Sequence, residues 1–114
     1  MAVDSDIIHL RGEDGPWKPT GSPGIDLRVL LQNAEGGGTA LIRFAPGSRA
    51  LTHDHPGGEE LYVLRGRIRV GERWLSEGDY LMTPPGQPHD AQAETETLLL
   101  VSTPKGIRVV EPRT

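Results

Sequence analysis

Six apolar runs dominate this chain: LRVLL (27–31), TALIRFA (39–45), ELYVL (60–64), RIRV (67–70), DYLMT (79–83) and TLLLV (97–101), each followed within five residues by glycine or proline. All are rich in branched side chains, none is long enough for a three-turn helix, and no window of about 11 residues or longer carries a helical period. The chain is therefore expected to be nearly all β. Its 15 glycines and 10 prolines would suggest low complexity if they clustered, but they fall between the apolar runs and show no repeat, which makes them turn punctuation. With 114 residues the chain has room for one domain with a real core. The expected division is an extended N-terminal arm over residues 1–24 and a single domain over residues 25–114. Trp17, the large aromatic in the polar stretch RGEDGPWKPTGSPG (11–24), is expected to anchor that arm on the domain.

Charge narrows the function classes. The net charge is −4 and the 12 lysines and arginines are scattered, so no basic run could track a phosphate backbone or an anionic membrane. Neither nucleic acid nor a membrane is an expected partner. The N-terminal MAVDSDIIHL has acids where a signal peptide needs positive charge, and no window approaches a membrane span, so the expected location is the cytoplasm. There is no cysteine, which excludes disulfides, thiolate metal sites and cysteine nucleophiles together. A metal would have to be held by nitrogen and oxygen.

Two of the four histidines stand one residue apart in HDHPGGEE (53–60). In an extended strand His53 and His55 face the same way and Asp54 faces the other. The turn Pro56-Gly57-Gly58 lets the chain bend sharply, after which Glu59 opens the strand ELYVLR and can bring its carboxylate back beside the imidazoles. Two nitrogens and one oxygen on a single centre suit Fe(II), Mn(II), Ni(II), Cu(II) or Zn(II). His89, delivered to the start of a strand after GDYLMTPPGQPH, is the candidate fourth ligand. Glu60, by alternation, points away from Glu59, and His9 in the arm reads as a surface histidine.

These residues resemble the two sequence motifs of the cupin superfamily. Gly47, His53, His55, Glu59 and Gly66 match the first motif at its spacing, and Gly78, Pro84, Gly86 and His89 match the second. With this composition, nine such matches have a chance on the order of 10^-10 per starting point. Ala93 stands where the second motif usually ends in asparagine, a departure that touches no ligand. HPGGEE followed by LYVLRG is also similar to the cupin domain of anti-sigma factors that respond to singlet oxygen and to diketone-cleaving dioxygenases. The resemblance implies a small double-stranded β-helix (jelly-roll) barrel and one divalent metal per chain on His53, His55, Glu59 and His89, with Fe(II) or Zn(II) favoured. Gly47, Gly66, Gly78 and Gly86 read as backbone positions needing unusual dihedrals.

The functional expectation is a metal-dependent dioxygenase acting on a small enolizable or dihydroxylated compound, with Glu59 able to act as base. Two other readings share the same ligands: a metal-dependent isomerase or lyase of sugar or organic-acid metabolism, and a non-catalytic zinc-binding sensor module. Tyr62, Trp74, Tyr80, Met82 and Phe44 are expected in core or interface ahead of substrate contact, and Gln87 beside the metal mouth. Arg65, Arg67 and Arg69 are expected on one solvated sheet face opposite Ile68 and Val70. The arm and the tail GIRVVEP look strand-like and able to pair with a second copy, so a homodimer is expected.

Overall fold

The computed structural model describes residues 7–111; residues 1–6 of the expected arm and residues 112–114 lie outside that range. Among the described residues there are eleven strands and no helix: β1 (Lys18–Pro19), β2 (Ile25–Gln32), β3 (Gly38–Phe44), β4 (Arg49–Asp54), β5 (Glu59–Arg65), β6 (Arg67–Val70), β7 (Arg73–Ser76), β8 (Tyr80–Thr83), β9 (His89–Ala93), β10 (Thr97–Thr103) and β11 (Arg108–Val109). They form two antiparallel sheets, β1-β2-β3-β10-β5-β8 and β11-β4-β9-β6-β7. The two sheets face each other as a jelly roll, the architecture that the cupin resemblance implied and with which the short β runs agree.

Alternation decides what fills the barrel. In β5, Glu59, Leu61 and Val63 are buried and Glu60, Tyr62 and Leu64 are exposed; in β10 the buried set is Thr97, Leu99 and Val101. Across the gap, Ile68, Val70, Leu75, Ala91 and Ala93 supply the other half of the core. Each large aliphatic buried there contributes roughly 1.5–3 kcal/mol. Phe44 pairs with Ile25 on one side and Thr97 on the other, so one aromatic packs at the end of three adjacent strands.

The same parity corrects two expectations. Tyr62, Tyr80, Met82 and Trp74 are not core: they are 42%, 56%, 55% and 49% exposed on the outer faces. Of the core or interface placement expected for them, the core is excluded, because the inward register belongs to their sequence neighbours. Arg65 does not share a face with Arg67 and Arg69, because the chain leaves the six-stranded sheet after Arg65 and enters the five-stranded one at Arg67, with Gly66 as the corner. Arg67 and Arg69 do lie outward, Arg67 4.5 Å above the Trp74 ring and Arg69 2.9 Å from Asp90.

The segments near both ends of the described range are tied to the sheets. β1 pairs with β2, and Arg43 lies 4.3 Å over the half-buried Trp17 ring, which is the anchoring expected of that residue. β11 pairs with β4, and Glu111 holds it by an ion pair with Arg49 at 3.0 Å and by accepting from the Thr52 N–H at 3.0 Å. β1 and β11 are thus each paired on one side within the chain and stand at the edges of their sheets.

A second anchor was not legible in sequence. Arg28 is 5% exposed and donates from Nη1 to the Gly12 carbonyl (2.6 Å) and from Nη2 to the Arg11 carbonyl (2.7 Å), with no carboxylate partner among the described residues. Hydrogen bonds from a charged group are worth about 1.5–3 kcal/mol each. Arg28→Ala is expected to release the loop around Gly12, so that limited trypsin digestion cuts after Arg11 at least about tenfold faster while the barrel resists. Unchanged cleavage there would show that the clamp does not hold the arm.

Candidate metal centre

Local geometry explains why the two glycines follow the histidines. The Gly58 N–H donates to the His55 carbonyl at 2.9 Å, closing a tight turn, and Gly58 has φ +82, a conformation that costs any other residue about 1–2 kcal/mol. Gly57 lies against Lys105, where a Cβ would meet the lysine side chain at 2.8 Å. The turn is thus pressed between the C-terminal segment and the β8–β9 loop. It returns the chain so that Glu59 opens β5 facing inward.

His53, His55 and His89 converge as their spacing led us to expect. Their ligating atoms all lie within 4.8 Å of one another, and the ring centroids are 4.8 to 5.2 Å apart. His53 and His89 sit directly opposite each other on the paired strands β4 and β9. His53 Nδ1 lies 2.6 Å from the Leu51 carbonyl, which fixes the proton on that nitrogen and leaves Nε2 bare, the form a metal ligand needs. Burial, reinforced by the neighbouring imidazoles, pushes the His53 pKa down and keeps the ring neutral.

Glu59 completes the cluster. Its Oε2 lies 3.1 Å from His55 Nε2 and its Oε1 3.6 Å from His89 Nε2. Burial alone would raise its pKa, but the contacts with His55 and His89 outweigh it and hold the carboxyl at about 2, so the group is an anion at neutral pH. The contacts are close without being aligned. Both His55 ring nitrogens and Glu59 Oε1 are buried with no hydrogen-bond partner. Leaving a buried polar atom unsatisfied costs about 1–3 kcal/mol, and a cation in the cluster would relieve Glu59 Oε1 and one of the two His55 nitrogens. The donor set therefore fits a divalent transition metal on chemical grounds.

The cluster lies in the wall of a cavity of about 490 Å³ inside the barrel. Leu27, Ala40, Ile42, Phe44, Leu61 and Val101 line it from the six-stranded sheet, Ala50, Leu51, Val70 and Ala91 from the other, and Ile107 and Val109 from the C-terminal segment. Thr20, Ser22 and Thr103 are its hydroxyls; no lysine or arginine is among its described lining residues. Phe44 is thus both core and cavity wall. Gln87 flanks His89 from the other side, in a separate polar cleft with Glu72, Arg73 and Met82 that shares only Val70 and His89 with the cavity. Glu60 faces outward and accepts a hydrogen bond from the Tyr80 hydroxyl at 2.7 Å, and His9 is exposed. Ile107 and Val109 were missed because their sequence reads only as tail; no local signal marks a residue that lines a cavity from the far end of the chain.

Comparison with known proteins agrees with this picture. Residues 6–106 match the model of the ChrR cupin-like domain family. The DNA damage-repair/toleration protein DRT102 of Arabidopsis thaliana is 30% identical over 86 residues, which are 70% of this chain and 27% of that protein. A chain in the structure of Rhodobacter sphaeroides SigE in complex with the anti-sigma ChrR is 26% identical, with a TM-score of 0.71 over 82% of this chain and 50% of that one. This chain therefore spans half or less of both. A putative acetylacetone dioxygenase from Methylibium petroleiphilum superposes over 98% of this chain and 86% of its own with a TM-score of 0.85, at 18% identity, a likeness of fold.

Proposed function

This chain belongs to the ChrR cupin-like family, and from that premise we propose that it is a metal-dependent dioxygenase of small, largely apolar compounds carrying two adjacent or conjugated oxygens, such as enolizable diketones or catechols. The observation that carries the proposal is the cavity: apolar on nearly every wall, free of cationic side chains among its described lining residues, and polar chiefly at the histidine–glutamate cluster. A substrate there finds the cluster and three hydroxyls for its oxygens and apolar surface for the rest of itself. Charged sugars and organic acids, the substrates of the isomerase and lyase reading, would leave their carboxylates unpaired against leucine and isoleucine.

His53, His55 and His89 would hold the metal, Fe(II) in the working enzyme, with Glu59 as the fourth ligand. The bound metal supplies polarisation of the substrate oxygens and access to dioxygen chemistry. The chain's own groups do the rest. Leu51 fixes the His53 tautomer through its carbonyl. Glu59, the one carboxylate in the described lining, is deprotonated and, when it is not ligating, is the group there able to accept the proton a diketone loses on enolisation. The hydrocarbon walls keep bulk water from the enolate. The cytoplasm is the compartment we assign.

The family match and the likeness to a chain of the SigE–ChrR complex favour one other reading, a metal- or ligand-sensing module with zinc at the same histidines. Metal analysis followed by oxygen-electrode traces separates the two. Near one iron per chain with oxygen uptake on diketones or catechols, and none on sugar acids, is the expected result. Tightly held zinc and flat traces with every compound would reject the dioxygenase and leave the sensing module.

A further inference from the structure

The aspartate between the two motif histidines belongs neither to the histidine cluster nor to the cavity lining. Asp54 is 8% exposed, and its carboxylate is fully engaged. Oδ1 accepts from the backbone N–H of His55 at 2.9 Å and from that of Gly86 at 3.0 Å, and Oδ2 lies 3.5 Å from Arg108 Nη2. Those contacts reach three separate segments: the loop that carries His55, the turn that delivers His89, and β11, whose Val109 pairs with His53.

The β4–β9 ladder ends where these contacts begin. β4 and β9 pair regularly at Arg49 and Ala50, the register then shifts, and pairing resumes only at His53 opposite His89. Backbone pairing between β4 and β9 therefore stops at these two ligands and does not by itself hold the His55 loop against the turn that leads into His89. A buried carboxylate bonded to a main-chain N–H on each side does.

We propose that Asp54 is the positioning residue of the metal centre: it fixes the His89 turn against the His53–His55 loop and ties the C-terminal strand to both. The proposal rests on the metal reading of the histidine cluster. Because Arg108 lies between Ile107 and Val109, two lining residues, the same carboxylate couples the cavity wall to the ligands. In Asp54→Ala both N–H groups lose their acceptor and the His89 turn is free to move. In Asp54→Asn the amide oxygen still accepts from both, and only the charge facing Arg108 is lost.

The test is cobalt and zinc affinity, by competition with a chromophoric chelator, and the visible spectrum of the cobalt form. Asp54→Ala is expected to weaken binding by about 10- to 100-fold and to alter the cobalt spectrum, while Asp54→Asn stays within about threefold of wild type with an unaltered spectrum. If Asp54→Ala does not fold, Asp54→Glu, which keeps the charge but displaces the acceptor by one methylene, is expected to weaken binding at least about tenfold. Wild-type affinity and spectrum in the folded Ala or Glu variant would overturn the proposal alone. Absence of metal binding by the wild-type protein would overturn it together with the reading of the centre.

Discussion

His55→Ala is expected to abolish metal binding and leave the barrel folded. Wild-type protein at a metal concentration a hundredfold above its dissociation constant should gain about 2.7 kcal/mol of stability; the variant should gain nothing measurable. His55 is 1% exposed, and truncating a side chain so deep in a core would normally be severe. Here the removed ring adjoins an existing cavity, so the new space merges with it and no isolated void is left. The substitution also removes two buried nitrogens that have no hydrogen-bond partner, which offsets part of the loss. Glu59 keeps His89 beside it, and water can reach it through the enlarged cavity. The measurement is metal content after dialysis, together with thermal unfolding with and without added zinc. Full occupancy in the variant, or a metal-induced shift equal to wild type, would remove His55 from the ligand set.

Gly66→Ala is expected to cost at least about 3 kcal/mol, because two costs fall on one residue. Gly66 has φ +96, and a Cβ there would overlap the Glu96 carbonyl oxygen and lie 2.8 Å from Thr97 Cα. The neighbouring backbone cannot give way. The Arg67 N–H donates to Thr95 Oγ1 at 3.0 Å and the Glu94 N–H to the Arg67 carbonyl at 2.9 Å, which hold this corner where the chain passes from one sheet to the other. Gly78→Ala is the control: φ is +90 but the space around the Cβ is open, so only the dihedral penalty of about 1–2 kcal/mol is expected. Urea unfolding of the two variants separates strain from collision. Equal losses would mean that the close approach to Glu96 has no energetic weight.

The two glycines show how far the sequence could be read. Both were assigned unusual dihedrals from motif position alone, and both have them, as do Gly47 at φ +80 and Gly86 at φ +82. That one of them also meets a carbonyl from a distant loop could not be read locally, because Glu96 is thirty residues away. The histidines divide in the same way. Alternation along an extended strand is enough to put His53 and His55 on one face, and the motif added His89. Where Asp54 sends its carboxylate depends on Gly86, which is near only once β4 and β9 have paired.

The outer aromatics mark the limit most clearly. Tyr62 and Tyr80 pair across neighbouring strands and point outward, since Leu61 and Val63 hold the inward register of β5. Side-chain size predicts burial only when parity is known, and parity is fixed by which neighbours are already inside.

What the sequence determined by itself is whatever depends on short-range geometry. Apolar runs too short for helices made the chain β, glycine and proline placed the corners, and the spacing of His53, His55, Glu59 and His89 named the residues that gather. What the tertiary structure alone decided is whatever depends on two strands meeting: the apolar cavity, the Arg28 clamp on the arm, the inward or outward fate of each aromatic, and the strut at Asp54. Strand geometry repeats every two residues and is carried by the chain itself, whereas sheet pairing joins residues tens of positions apart through backbone groups that every residue shares.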